Sequence, residues 1–483
     1  MTETALVWFR RDLRVRDNPV LAAAADADHL LPVYCFDPRE YGTRAFGGAH
    51  SFRFEKTGSH RARFRRESVE ALRESLSGRG STLLVRHDRP ETALADLAAA
   101  ADVDRVWFQT LPAPEEVAVE NRVTTALRDD GVAVHRRWTH TLYHPADLPT
   151  PYTAIDDTYT PFREAVEAKS TVRDPVAVPD LPPPPAELDS RGVAPGAIPS
   201  LRELDDDLTA PAPEDRAVHD FPGGEDAALD RLNAYVWAGD HLREYRETRN
   251  GMVGADYSSK LSPWLNEGCL SPRSVEREVR RYEDERVAND STYWLLFELL
   301  WRDFFQFQFR KHGAAFFRPG GIRDRTDVDW RTDDERLRRV RAGETGIPFV
   351  DANVRELLAT GYMPNRGRQN VASFVANDLR LDWRVGAAFF ETHLVDYDPC
   401  SNYGNWAYVA GVGNDSRDRA FDVLEQARTY DPDARYVERW IPELAAVPPA
   451  YAHEPWRMDA AEQDSFGVEL GVDYPEPMVR LDS

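Results

Sequence analysis

The chain has 483 residues, of which 42% are hydrophobic and 11% aromatic, so it can bury large cores and whole-chain disorder is excluded. Eighty-three acids face 60 bases, a formal charge of −23, and lysine stands only at 56, 169, 260 and 311, so the other 56 bases are arginine. That balance fits a halophile's high-salt cytoplasm, where the Debye length falls to ~3 Å, and it argues against a general nucleic-acid coat while leaving room for local arginine grips on phosphate.

Residues 4–138 alternate strand and helix. Short apolar runs at 4–10, 29–37, 82–87, 105–109 and 132–138 predict strands, and the stretches at 17–27, 51–77, 90–101 and 115–130 predict helices. Repeated β-α-β implies a parallel sheet covered on both faces. The turn after the first strand reads Arg10-Arg11-Asp12-Leu13-Arg14, with no glycine fingerprint, so a nicotinamide site of the usual kind is not expected. Prolines crowd 145–222, including Pro182–Pro185, which predicts a connector with little regular structure wrapped over the surface. From about 225 the pattern turns helical, over 226–248, 271–289 and 292–312. The expected class is α/β followed by all-α: a Rossmann-like parallel α/β domain at 1–138, a linker at 139–224, a helical domain at 225–450 and a short, partly disordered acidic tail at 451–483.

Cys35, Cys269 and Cys400 are scattered and odd in number, without metal spacing or a disulfide framework. The start lacks an apolar signal region, and no run of about 18 apolar residues occurs. A soluble protein of the cytoplasm, without membrane contact, is expected.

Three segments carry candidate chemistry. In 291–305, Glu298, Trp301, Arg302 and Phe305 share one helix face. A charged pair among aromatics is either a buried ion pair locking the core or the edge of a cavity that stacks a flat ligand. In Tyr257-Ser-Ser-Lys-Leu-Ser-Pro-Trp, hydroxyls and one lysine precede a proline, which suits a phosphate cradle and equally an ordinary helix cap. In Asp396-Tyr-Asp-Pro-Cys-Ser-Asn, two acids two apart and Asn402 suit a ribose or a ring N–H, or simply a polar turn; no His or Cys set favours a metal.

Longer stretches resemble the photolyase/cryptochrome family. The opening LVWFRRDLRVRDN (6–18) matches its start. GADYSSKLSPWL (254–265), GCLSPR (268–273), ERVANDSTYWLLFELLWRDFF (285–305), TGIPFVDANVRELLATGYMPNRGRQNVASF (345–374), LDWRVGAAFFETHLVDYDPCSNYGNWAYVAGVGND (381–415) and YDPDARYVERWIPEL (430–444) resemble its DASH cryptochrome branch, as do VYCFDPRE (33–40) and TLYHPADLP (141–149). The resemblance runs from about 4 to 450, and a source among halophilic archaea is expected.

The resemblance implies a helical FAD-binding domain. Ser258, Ser259, Lys260, Leu261 and Ser262 would hold the FAD phosphates, with Tyr245 upstream. Glu298 and Arg302 would border the flavin, with Arg302 balancing Asp396, and Asp396 and Asp398 would contact the isoalloxazine and adenine sides. Asn365, Arg366 and Arg368 would line the same cavity, and Asn402 would face flavin N5. Trp406, Trp383 and Trp330 match an electron-hopping chain. The activity implied is blue-light-driven splitting of cyclobutane pyrimidine dimers by electron transfer from reduced FAD. Glu298 would bond the dimer, Trp301 and Tyr408 would form its walls, and Asn365 and Gln369 would lie beside it. Tyr408 and Gln369 replace the Trp and Met of duplex-active enzymes, so dimers in single-stranded DNA are the expected preference. Arg355, Arg366, Arg368 and Arg380 are candidates to grip DNA phosphates, and the protein is expected to be a monomer. Leu111 replaces a glutamate expected to bind the pterin of a methenyltetrahydrofolate antenna, which leaves that second chromophore, a deazaflavin or an empty cleft open. Two other functions compete: a blue-light photoreceptor that binds DNA with little repair, and a nucleotide-binding electron-transfer protein without DNA.

Overall fold

The computed structural model describes residues 2–481 except 49, 187, 189 and 416–419. The expected strands form as β1 (Thr4–Phe9), β2 (His29–Cys35), β5 (Leu84–Arg86), β6 (Arg105–Gln109) and β7 (Ala133–Arg137), in a parallel sheet of order β5-β2-β1-β6-β7. A short antiparallel hairpin, β3 (Thr43–Ala45) with β4 (Arg53–Glu55), was not expected and occupies part of the stretch assigned to a helix at 51–77, which begins only at Ser59. Every residue of β1 is buried because both faces of the sheet are covered, which is why it reads as an unbroken apolar run.

The two faces have different fates, and this positions everything that follows. Leu6 and Trp8 point into a core closed by Leu94, Leu97, Phe108 and Val123. Ala5, Val7 and Phe9 point the other way, into a core that continues through Leu232, Tyr235, Trp264, Leu295 and Leu299 of the helical half. One face of the sheet is thus the floor on which the helical half rests.

The proline-rich connector is more structured than expected. It holds the helix Tyr159–Lys169, and its extended part pairs with the sheet through Val85 N–H to the Pro195 carbonyl at 2.7 Å. The helix expected over 226–248 is broken. It runs Glu225–Asn233, loosens into a wide turn to Ala238, and restarts as Tyr245–Thr248, because Asp240 takes a left-handed φ of 55° behind Gly239. The longest helix, Asp290–His312, starts where Asn289 caps the N–H groups of Ser291 and Thr292. The segment 451–481 departs from the disordered tail expected for it. It carries the helix Ala460–Phe466, buries Tyr474 with its hydroxyl donating to Asp351 at 2.5 Å, and bonds Met478 N–H to Thr345.

Candidate functional site

In the turn after Tyr257, Lys260 adopts φ 52°, a conformation a lysine keeps only where its surroundings hold it. The holder is Arg231, on helix Glu225–Asn233. It donates to the carbonyls of Ser259 at 2.9 Å and Ser258 at 3.1 Å and pairs with Asp256 at 2.8 Å. Lys260 is buried, with its Nζ 3.2 Å from the centre of the Tyr257 ring and no hydrogen-bond partner. Burial, then the charge of Arg231, brings its pKa down to about 7. Two cations folded together, one of them buried without a partner, mark a place for an anion. Leu261 is buried behind the turn, and Ser262 donates to Asp396 at 2.6 Å.

Asp396 and Asp398 do different work. Asp396 accepts from Ser262 and pairs with Arg368 at 2.9 Å, while its other oxygen is buried without a partner. Arg302 does not balance it, contrary to expectation. Arg302 turns toward the N-terminal half and bonds the His140 carbonyl, the His140 ring Nε2 at 2.6 Å and the Leu265 carbonyl at 3.2 Å. His140 stays neutral, since burial and the guanidinium push its pKa far down. Asp398 caps the helix Pro399–Val409 and accepts from Gln306 at 2.7 Å. One turn on, Asn402 donates to the Ala387 carbonyl at 2.9 Å, which fixes its amide.

Glu298 lies at a half-open mouth. It is ion-paired with Arg249, and the Trp294 N–H beside it also favours its charged form. Burial pushes the Glu298 pKa up and Arg249 pulls against that. Tyr245 is buried nearby; burial and the Glu298 charge push its phenol far up. Trp301 and Tyr408 meet edge to face, with ring centres 6.2 Å apart. The other face of Trp301 is covered by Tyr159 from the connector, stacked at 3.6 Å. Arg366 bonds only neutral amides, those of Gln369 at 2.9 Å and Asn250 at 3.0 Å, with Gln426 at 3.4 Å, and is in no ion pair among the described residues. Asn365 is exposed at the first turn of helix Asn365–Ser373.

Two of the candidate phosphate grips lie elsewhere. Arg355 is paired with Glu443 at 2.9 Å, and Arg368 is engaged by Asp396. Arg380 is exposed, at a φ of 55°. Trp406 is buried against Phe390, and Gly386 has no side chain because a Cβ there would stand 2.3 Å from the Trp406 ring. Trp383 is fully buried and Trp330 half-buried, and both indole N–H groups donate to one carbonyl, that of Pro319, at 3.0 and 3.1 Å. Arg231 and Arg249 were invisible in the sequence: each is one arginine among 56, remote from the motif it serves.

A cavity of about 1160 Å³ lies between the two halves. Leu111 is on its wall, as are Glu115, Glu116 and Glu391, Arg61 and the rings of Phe46, Tyr397 and Tyr403. Arg61 is buried over Tyr397 at 4.6 Å, with two guanidinium nitrogens unpartnered.

Fold and site together define a class: a protein with an α/β domain docked on a helical domain that cradles a phosphate-bearing cofactor beneath an aromatic mouth. Comparison with known proteins agrees. The profile for "FAD binding domain of DNA photolyase" matches residues 294–483 and that for "DNA photolyase" matches 5–185. The cryptochrome DASH of Natronomonas pharaonis, a halophilic archaeon, is 58% identical over all of this chain and 99% of its own length. The solved cryptochrome of Synechocystis sp. PCC6803 superposes with a TM-score of 0.93 at 44% identity, covering 99% of this chain and 96% of its own. A class III photolyase from Agrobacterium tumefaciens gives 0.83 at 29%, covering 99% and 95%. The chain belongs to the photolyase/cryptochrome family, on its DASH cryptochrome branch.

The residues present fit FAD. A pyrophosphate would supply the anion that Lys260 lacks, and the free oxygen of Asp396 and the unpartnered Nε of Arg302 are polar groups that a bound cofactor would satisfy. Among the described residues no helix is long and apolar enough to cross a membrane.

Proposed function

We propose that this protein repairs cyclobutane pyrimidine dimers under blue light, preferentially in single-stranded DNA. The observation that carries the reading is the mouth itself: Trp301, one turn from Glu298, meets Tyr408, and Arg366, a cation with no carboxylate of its own among the described residues, lies near enough to Arg249, the partner of Glu298, for the two charges to oppose. Bound in its reduced form, FAD supplies one electron to the lesion on excitation and recovers it after the ring opens.

The chain's own residues bind and orient. Trp301, backed by Tyr159, is held as a fixed wall against which a lesion packs. Glu298 bonds the lesion edge and stabilises charge that develops there. Arg366 takes a backbone phosphate. Tyr408 gives a smaller, more polar wall than an indole and gains less from extracting a lesion out of a duplex, which favours strands already unstacked. Asn402, fixed on Ala387, presents a neutral amide that exchanges no proton. Trp406, Trp383 and Trp330 form the route by which electrons reach the cofactor from the surface. The interdomain cavity is the candidate antenna site. Leu111 denies a pterin the expected carboxylate, but Glu116, raised to about 7, and Glu391 are on the same wall, so a folate remains compatible.

The test is illumination of the reduced holoprotein with oligonucleotides carrying one dimer. Single strands are expected to be repaired faster than duplex, and Glu298→Ala to lose ~10–100-fold, the worth of a charged hydrogen bond. Equal rates on both substrates overturn the preference; an unimpaired Glu298→Ala overturns the site. A photoreceptor that binds DNA and leaves dimers intact is the alternative, and the same assay separates the two.

A further inference from the structure

At the mouth, the carboxylate expected to touch the lesion is not free. Glu298 is ion-paired with Arg249, which lies just past the one-turn helix Tyr245–Thr248 and over the Trp294 ring at 5.3 Å. Arg249 makes no other ion pair among the described residues, and both side chains keep partial exposure, 21% and 31%. The pair therefore sits at the opening, where a nucleic-acid backbone arrives.

Resting on the lesion-repair reading above, we propose that Arg249 is a positioning residue that changes partners when DNA binds: it leaves Glu298 for a lesion phosphate, and Glu298 then takes one proton from solvent and meets the lesion as a neutral acid. A guanidinium prefers a phosphate it can grip by two N–H bonds while the bases enter the pocket. Its departure strands a carboxylate among Trp294, Trp301, Tyr245 and Tyr159 at the moment the lesion excludes water. An uncompensated carboxylate in such surroundings neutralises itself. The groups facing Glu298 permit this. Tyr245 and Tyr159 are neutral phenols held far from ionisation; Arg249 is the cation opposing protonation, and the Trp294 N–H is a weaker brake in the same direction. The next cation, Arg366 on helix Asn365–Ser373, senses Arg249 and would be pressed toward the same backbone. The acid so formed donates its proton in a hydrogen bond to a pyrimidine carbonyl, where an arriving electron places negative charge. No bond to carbon forms or breaks, and the one proton comes from buffer.

Binding in darkness isolates this step, because the ring stays closed. Titration calorimetry of the holoprotein with a single-stranded dimer oligonucleotide, in buffers of different ionisation enthalpy near pH 7.5 (a value of about 7–8 keeps free carboxylates charged), reads the protons exchanged. Uptake approaching about one proton per complex is expected for the wild type. Glu298→Gln is expected to bind with no uptake. Arg249→Gln, its fold checked by retained FAD absorbance, is expected to show reduced uptake and a log Kd against log salt slope lower by about 0.7, one phosphate contact on a single strand. No uptake by the wild type, uptake surviving in Glu298→Gln, or an unchanged salt slope in Arg249→Gln overturns the exchange. Absence of any dark binding to dimers instead removes the repair reading beneath it.

Discussion

The turn Arg10–Arg14 carries three arginines and the turn Tyr257–Ser262 one lysine, yet the second is the better candidate for a phosphate. In the first, Arg10 pairs with Glu120 at 2.5 Å, Arg11 with Glu116 at 3.4 Å, and Arg14 bonds the carbonyls of Asp17 and Gly268 at 2.9 Å each. Every arginine there is answered from within the chain. In the second, Lys260 is buried beside a second cation with nothing answering it. A ligand site is marked by the charge the fold leaves unmatched, not by the density of charge.

That contrast can be broken from its strong end. Asp396→Ala strips the ion-pair partner from Arg368, a half-buried guanidinium left with the Met363 carbonyl alone, so a loss of about 1–3 kcal/mol in stability is expected, read by the thermal midpoint, together with loss of bound FAD. Next, Lys260→Met is expected to weaken FAD binding by ~10–100-fold, the worth of one charged hydrogen bond, measured by flavin fluorescence on titration of apoprotein. Arg14→Met, on the turn whose charges are matched, should leave FAD affinity unchanged; a comparable loss in both would erase the distinction.

The contrast sharpens with pH. In the apoprotein Lys260 deprotonates at about 7, whereas in the unfolded chain it keeps its ordinary, higher value. Between the two the unfolded chain binds the extra proton, so this group's penalty on apoprotein stability is full below 7 and fades as pH rises. A bound phosphate restores the charge, so cofactor uptake above pH 7 takes up a proton, and the Kd for FAD should rise by up to ~10-fold per pH unit there. A flat profile in the wild type, or an unchanged slope in Lys260→Met, rejects Lys260 as the group responsible. The smallest effect is at the surface. Arg355→Ala breaks a half-buried pair with Glu443 and should cost about 1 kcal/mol without moving DNA affinity. Arg366→Ala, which frees no carboxylate, should lower the salt slope of binding by about 0.7.

Much of the architecture was legible because it follows from local pattern. The five parallel strands appear as apolar runs with helices between them, and buried strands must read that way. The hairpin at Thr43–Glu55 was missed because two three-residue strands carry too little periodicity. The break at Asp240 was missed because the left-handed turn is set by its packing, not by a glycine at that position. The tail at 451–481 was misread from its acidity, although Tyr474 and Met478 anchor it on residues 345–351.

By itself the sequence determined the order of the elements, the family, and the segments holding Lys260, Glu298, Asp396 and Asn402, since motif and periodicity are local properties of a chain. Only the tertiary structure decided which charges meet: Asp396 with Arg368 rather than Arg302, Arg302 with His140, Glu298 with Arg249, Lys260 with none. Those pairings join residues 28 to 162 positions apart, and Coulomb attraction over a few ångströms depends on where the fold brings them, which no spacing along the chain records.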